Sequence, residues 1–336
     1  MNSNAARRRR VQAIAPIARR STLLAAAAGW PALLGRAWAQ GVFPTHPVRI
    51  IVPATPGGAI DITSRLLAER LSPRWKQPVV VENRPGANNI IGTEMVARSA
   101  PDGHTLGVSA VTHAINVALY KTPFDTLRDL VTVTVAYTVP LILVASPGFR
   151  ASNVRELIAL AKAEPERITF AGTGGAVHLA GEMFALQAGA KMTHVPYRGS
   201  SAAHPDLMSG RVDIMFDTLP AVLGYIRDGK LKALATGAST RTALLPDLPT
   251  VSESGLPGYE ATSWGIFFGP AGIPDAVLQQ INADMVAALK EPAVREKMGS
   301  LGAEVVGSDV AAAQAFVQSE VAKWSEVAAK IGLEKQ

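Results

Sequence analysis

The sequence predicts an α/β protein of two domains, each built on a mostly parallel sheet flanked by helices. Short runs of β-branched and aliphatic residues alternate with helical segments over the first two thirds of the chain, a pattern typical of parallel sheets covered by helices. The length of 336 residues suits two domains of ordinary size. The last third differs, because long helical segments dominate from Pro274 onward.

Each predicted element follows from a local pattern. In the first helix, for example, Ile60, Leu67 and Leu71 recur on one face after the β-branched run Val48–Val52. The predicted strands are Val48–Val52, Val79–Val81, Thr105–Ala110, Leu141–Ala145, Ile168–Ala171, His194–Tyr197, Val212–Phe216, Leu231–Ala235 and Trp264–Phe268, and further helices are predicted at Ile90–Arg98, Asn153–Ala163, Val177–Ala188 and Ala202–Met208. One sheet of so many strands would be large, so two smaller sheets are expected.

The last helix carries an apolar stripe that has to be buried. Its residues follow at steps of four, three, four and three: Val317, Val321, Trp324, Ala328 and Ile331. Since no third core is available, we expect this stripe to pack back on the first domain.

That packing predicts a chain that leaves the first domain and later returns to it. Residues 40–139 plus 236–336 form the expected domain 1, and residues 140–235 form domain 2. The two crossings, near 138–143 and 232–238, would act as a hinge beside a cleft.

The first 39 residues have the pattern of an export signal. Seven arginines and no acidic residue occur there. The pair Arg19-Arg20 is followed directly by an uncharged run from Ser21 to Gly35. The motif Ala37-Trp38-Ala39 predicts cleavage before Gln40 and a periplasmic protein. A retained membrane anchor is the alternative, but the run is 15 residues, short of the roughly 18 to 20 that span a bilayer. Ordinary secretion and twin-arginine export both remain open.

Composition excludes several classes of function. With no cysteine, the chain has no disulfide framework, thiolate metal site or cysteine nucleophile. The net charge of +6 comes from the export segment, and the remainder carries 26 basic against 27 acidic residues. Nucleic acid is therefore not an expected partner.

The common catalytic patterns are absent as well. The sequence contains no G-x-S-x-G, S-x-x-K, H-E-x-x-H or phosphate-loop motif. Among the six histidines no two are four residues apart, and none is recognised as having a carboxylate ligand at helical spacing, so we expect them to line surfaces or a cleft rather than bind a metal. The sequence predicts neither an enzyme nor a cofactor.

Two glycine-rich turns, each between a strand and a helix, are the candidate binding elements. The first contains Gly57, Gly58 and Ala59, and the second contains Thr173, Gly174 and Gly175. Helix N-termini present unpaired amide groups and partial positive charge, and glycine lets a ligand approach the backbone closely. A single glycine-rich turn is explained equally well as a tight turn that binds no ligand. Two at matched positions favour a site for a small carboxylate at the carboxyl edges of the strands.

Other polar residues are candidates for the same site. Ser109, Thr112 and His113 follow a strand and are expected to line it. Asp61 is expected to brace its own loop, where the helix dipole favours it, more than to touch an anion. Asp217 could receive a ligand ammonium group or hold a neighbouring loop. Arg198 is the best-placed cation, with a solvated side chain as the alternative.

Several stretches of the chain have a distinctive pattern: Pro47–Pro53 with Pro56–Asp61, Glu82–Ala87, Pro101–Leu106, His178–Glu182, His194–Gly199, Gly210–Asp217, Pro249–Glu253 and Gly255–Tyr259. In these stretches the chain resembles the Bug-type extracytoplasmic solute receptors of tripartite tricarboxylate transporters. The resemblance covers residues 43–333 in order. It departs at Asn88-Asn89, where the family often has two glycines, and at Gly175, where it often has a hydroxyl.

The resemblance implies a two-domain periplasmic binding protein fold of type II-like form that closes around a small carboxylate. It implies backbone and water contacts to the ligand near the first glycine turn, and delivery to a membrane transporter. The ligand could be a mono- or dicarboxylate, an acidic amino acid or an aromatic acid, and a monomer is expected. A sensor subunit for a membrane kinase and, with less support, a periplasmic enzyme on a bilobal fold are the alternatives.

Overall fold

The computed structural model describes residues 43–173 and 175–335. The export segment and Gly174 lie outside these described residues. The described residues belong to one compact unit. In the part of the chain described, none of the helices combines the length and apolarity needed to cross a membrane.

Strands and helices alternate through the described residues as the sequence predicts. The strands are β1 (Val48–Val52), β2 (Val79–Asn83), β3 (Thr105–Ala110), β4 (Leu130–Ala145), β5 (Thr169–Gly172), β6 (Thr193–Pro196), β7 (Ile214–Thr218), β8 (Lys232–Thr236), β9 (Thr262–Pro270) and β10 (Glu304–Val305). The helices are α1 (Ala59–Trp75), α2 (Ile90–Ala97), α3 (Thr112–Leu119), α4 (Val154–Ala163), α5 (Gly175–Ala188), α6 (Ser200–Met208), α7 (Leu219–Arg227), α8 (Asp275–Leu289), α9 (Pro292–Ser300) and α10 (Val310–Lys330). Helices α3 and α7 are not among the predicted elements.

The strands form an α/β fold whose outer strands are parallel and whose central strands are antiparallel. The order is β2-β1-β3-β9-β4-β7-β5-β6, and β8 and β10 also pair with β4. The pairs of β1 with β2 and β3, and of β5 with β6 and β7, are parallel. The predicted α/β class, with helices flanking the sheets, is confirmed.

The central strand β4 is much longer than the sequence predicts and joins the two halves of the sheet. The prediction covers only Leu141–Ala145, whereas the strand begins at Leu130. It pairs with β9 as far as Pro140 and with β7 from Leu141 onward. Because proline lacks the amide that a strand ladder needs, Pro140 suits the point where β4 changes neighbours. The two smaller sheets expected from the sequence are thus continuous through one strand.

In the first half of the sheet, the carboxyl ends of β1, β2 and β3 point toward this junction in β4. Ala110, at the end of β3, lies beside Gly265 of the antiparallel β9. Further toward its start, β9 places Thr262 beside Pro140. The loops that follow β1, β2 and β3 therefore lie at the edge from which β4 enters the second half.

The second half is oriented the opposite way. β7 runs antiparallel to β4, with Ile214 beside Ala145 and Thr218 beside Leu141, so its carboxyl end also lies at the junction. β5 and β6 are parallel to β7 and to each other, which brings Gly172 and the loop after it to the same side. The two carboxyl edges consequently face each other.

The last helix buries its apolar stripe largely as predicted. Val317, Val321, Trp324 and Ala328 are buried, and α10 packs against α3 and β4 while also reaching α5. The indole nitrogens of Trp264 and Trp324 both donate to the buried carboxylate of Glu320.

Candidate functional site

The first glycine turn is open to solvent at the junction edge. Gly57 has a φ of +95°, a conformation that side chains disfavour, and it is exposed together with Gly58 and Ala59. Gly58 is the N-cap of α1 and supplies no side chain to satisfy the first amides of the helix. A side-chain carbon added at Gly57 or Gly58 would meet nothing within 4 Å. The turn thus offers backbone donors beside free space.

Asp61 braces this turn from inside, as the sequence indicates. Its buried carboxylate accepts hydrogen bonds from the Gly57 amide at 2.9 Å, from Asn83 at 2.9 Å and from the Arg65 Nε at 3.1 Å. Burial alone would raise the pKa of Asp61, but these donors outweigh it and the pKa is lowered. Asn83 ends β2, so the carboxylate ties together three segments at the same edge.

The second turn faces the junction from the other half. Thr173 is half-buried, Gly174 lies outside the described residues, and Gly175 begins α5 with a φ of +54°. A side chain at Gly175 would meet nothing within 4 Å, so this position is also open. Its left-handed backbone explains why glycine occupies this position.

The polar candidates after β3 lie close to the junction but are more enclosed. Ser109 and His113 are buried, and the imidazole of His113 packs 4.8 Å from the Phe268 ring, centroid to centroid. Burial lowers the pKa of His113 to about 4, so this ring is neutral at physiological pH. Thr112 is half-buried and begins α3.

Two asparagines, noted in the sequence only as a departure from the family pattern, form hydrogen bonds that hold this edge together. Asn88 and Asn89 have φ values of 50° and 73°, in the left-handed region that asparagine tolerates better than most residues. Their side-chain amides donate to the Tyr120 hydroxyl at 2.7 Å and to the Thr112 hydroxyl at 2.8 Å. The loop after β2 is thereby fastened to α3.

The two charged candidates of the second half differ in environment. Arg198 is exposed at the end of the β6 loop. Asp217 is buried, and it accepts hydrogen bonds from the His204 Nε2 at 2.8 Å and from the Thr218 amide at 2.7 Å. These contacts correspond to the predicted role of holding a neighbouring element.

One further group of residues escapes the sequence analysis. Glu182 follows His178 by four residues on α5, and the structure brings both next to His194 of β6. The expectation that no histidine has a carboxylate ligand at helical spacing is therefore wrong, because Glu182 lies one helical turn after His178. Burial and the neighbouring His178 lower the pKa of His194.

These elements define a class of protein: an α/β receptor with glycine turns facing each other across a central strand, in the manner of solute-binding proteins. The sequence profile of the tripartite tricarboxylate transporter family receptor matches residues 63–333. The chain therefore belongs to the tripartite tricarboxylate transporter receptor family, whose members are solute-binding receptors rather than enzymes.

Individual relatives agree with this assignment. The chain is 37% identical to Protein BugT of Bordetella pertussis over 295 residues, which cover 86% of this chain and 90% of BugT. R. palustris Rpa4515, solved with adipate, is 33% identical with a TM-score of 0.71, and the match covers 88% of this chain and 100% of that one. MatC from Rhodopseudomonas palustris, solved with bound malate, is 30% identical with a TM-score of 0.67, covering 85% and 99% respectively.

Proposed function

We propose that this protein is a periplasmic receptor that captures a small dicarboxylate at the junction and delivers it to a tripartite membrane transporter. The observation that carries the proposal is the strand register along β4, which turns the carboxyl edges of both halves toward each other. Ligands of α/β proteins bind outside the carboxyl ends of parallel strands. Two such edges are directed toward the same junction here.

The capping of the helices supports an anion as the ligand. Helices α1, α2, α3, α6 and α7 all begin at the junction, and none of them has a side-chain cap. By contrast, α4 and α10 begin elsewhere and are capped by Asn153 and Asp309. Helices α8 and α9 also lack a side-chain cap, so uncapped helix starts are not confined to the junction. Amides that no side chain satisfies are donors for a carboxylate.

The turns supply the proposed contacts. Gly57, whose own amide donates to Asp61, leaves open space beside the amides of Gly58 and Ala59. These two amides on one side, and those of Thr173, Gly174 and Gly175 on the other, would hold the two carboxylates. About four or five charge-assisted hydrogen bonds, each contributing about 1.5–3 kcal/mol, support micromolar binding once ordering costs are subtracted. Thr112 and Arg198 are proposed as further polar contacts, and Ser109, His113 and Asp217 as residues that shape the site.

Two solved relatives favour a dicarboxylate over the other acids. Adipate, in Rpa4515, and malate, in MatC, both carry two carboxylates separated by a short carbon chain. Two turns that face each other match such a ligand better than they match a single charge. Adipate and malate are therefore the first compounds to test.

Ligand capture would use the expected division into two lobes. Residues 40–139 plus 236–336 form one proposed lobe and 140–235 the other, with closure about the two crossings beside Pro140. Residues 1–39 are proposed to direct export and to be removed before Gln40. N-terminal sequencing of the exported protein tests this cleavage.

A thermal-shift titration with adipate and malate tests the proposed site. Gly58 has a φ of −80° and open space around it, so Gly58→Val is tolerated by the backbone yet places a side chain where the ligand approaches. We expect a melting temperature within a few degrees of the wild type without ligand, and a loss of the ligand-induced rise. Gly148→Val, at an exposed turn beyond the far end of β4, is the matched control and should keep the full rise. A Gly58→Val protein that responds like the wild type would contradict the site.

A further inference from the structure

Three side chains able to bind a metal meet where α5 passes over β6. His178 and Glu182 lie on one face of the helix, with His178 Nε2 3.0 Å from Glu182 Oε1. His194 comes from the strand, and its ring stacks on that of His178 with centroids 3.9 Å apart. One nitrogen or oxygen from each residue lies within 4.8 Å of the other two.

The position of His194 suggests a missing partner. Its Nε2 is buried, and no hydrogen bond reaches this atom from the residues that the structure describes. The ring lies against Gly172, where a β-carbon would overlap Nε2. Buried polar atoms are normally satisfied, so the unpaired nitrogen beside a histidine and a carboxylate calls for a ligand.

A second cluster also contains two histidines and one carboxylate. It is less suited to a metal, because a hydrogen bond fixes the proton of one of its histidines. His46, Asp102 and His104 also approach one another, and the His46 and His104 rings are stacked. However, His104 Nε2 accepts a hydrogen bond from the Thr45 amide at 3.2 Å, so the neutral ring carries its proton on Nδ1, which lies 3.3 Å from the Asp102 carboxylate without a hydrogen bond to it. Binding a metal through Nδ1 would require that proton to move to Nε2 and break the Thr45 bond. No such bond occupies His194 Nε2.

We propose that His178, Glu182 and His194 form a binding site for a divalent transition-metal ion such as Zn²⁺. Two imidazoles and one carboxylate are a donor set that zinc accepts, with a fourth position open to water or another small ligand. All three residues are half-buried, so an ion can enter from solvent. The stacked rings lie 15° from parallel, so one ring must turn about its broad χ2 torsion for both nitrogens to point at the ion. Mg²⁺ and Ca²⁺ prefer oxygen donors alone and should not bind.

Calorimetric titration of the untagged, metal-free protein with ZnCl₂ tests the proposal independently of carboxylate binding. We expect about one ion per chain, a rise in melting temperature, and no response to Mg²⁺. His178→Gln and His194→Gln should each weaken zinc binding at least about tenfold, whereas the control His46→Gln, in the other cluster, should bind as the wild type does.

A further variant keeps every ligand but moves one of them. Gly172→Ala should displace the His194 ring and weaken zinc binding, so the proposal can be tested even if His194→Gln does not fold. X-ray absorption of the zinc-loaded protein should show imidazole scattering around the ion. Absence of zinc binding by the wild type, or full binding by the His194→Gln or Gly172→Ala protein, would overturn the site.

Discussion

The amide of Gly237 donates a hydrogen bond to the carbonyl of Leu141 over 2.7 Å. Leu141 is where β4 enters the second half of the sheet, and Gly237 follows β8, where the chain turns back toward β9. The two crossings that the sequence predicts, near 138–143 and 232–238, thus lie side by side. Because these two segments are adjacent, a hinge formed by them would rotate about a single axis.

The close packing at this point predicts the effect of a single methyl group. In Gly237→Ala, the β-carbon would lie 2.7 Å from the Ala261 carbonyl oxygen and 3.2 Å from that of Leu141. Because these are backbone atoms, they cannot move aside cheaply, and we expect a destabilisation of about 1–3 kcal/mol in urea unfolding. Gly224→Ala, in α7 with no atom within 4 Å, is the control and should be neutral or stabilising by up to about 1 kcal/mol. Equal stabilities for the two variants would show that the crossing is not tightly packed.

The hydrogen bond between Asn89 and Thr112 predicts a measurable coupling. Asn89→Gly keeps a residue that accepts the φ of 73° but loses the bond, whereas Asn89→Ala loses the bond and adds backbone strain. We expect Asn89→Gly to cost about 0.5–1.5 kcal/mol and Asn89→Ala more. A double-mutant cycle with Thr112→Val measures the pair directly. Additive effects would mean that the bond does not fasten the loop to α3.

The lowered pKa of Asp61 predicts how its contribution to stability changes with pH. A carboxyl whose folded pKa lies below the ordinary value of about 3.9 stabilises the protein above that pH, and the contribution is lost as the pH falls through the folded pKa. At neutral pH, Asp61→Asn should cost about 1–3 kcal/mol, because an amide group cannot accept from every donor around it. The gap between variant and wild type should narrow below about pH 4.

An exposed acidic residue provides the comparison for this experiment. Asp228 forms a surface ion pair with Lys230, so Asp228→Asn should change the free energy of unfolding by less than about 1 kcal/mol. Unfolding curves for both variants from pH 3 to pH 7 check the prediction. A penalty for Asp61→Asn that is constant over this range would show that ionisation of Asp61 does not stabilise the turn.

Local sequence patterns predict most of the strands and helices of the fold. Alternation of β-branched runs with helical segments predicts every strand of the parallel pairs. It does so because the spacing of apolar residues along the chain differs between a buried strand and a helix with one buried face. The glycine turns are recognisable for the same reason, since backbone conformation limits which residues can occupy them. The bracing role of Asp61 also follows from its place in the first turn of α1.

Contacts between distant segments explain what the patterns miss. The first part of β4, from Leu130 to Pro140, is rich in valine and threonine and so has strand propensity, and its pairing with β9 shows that it continues into Leu141–Ala145 as one strand. The burial of Asp217 against His204, and the meeting of His178 with His194, depend on helices packing over neighbouring strands. None of these contacts leaves a periodic signal.

By itself, the sequence determined the α/β class, the order of its elements, the two glycine turns and the family to which the chain belongs. Those properties depend on the conformations and burial of residues close together in the chain. Only the tertiary structure decided that both carboxyl edges face the junction beside Pro140, that Leu141 and Gly237 are neighbours, and which side chains gather in each cluster. Strand register and helix packing set these relationships, and both arise from contacts between residues far apart in sequence.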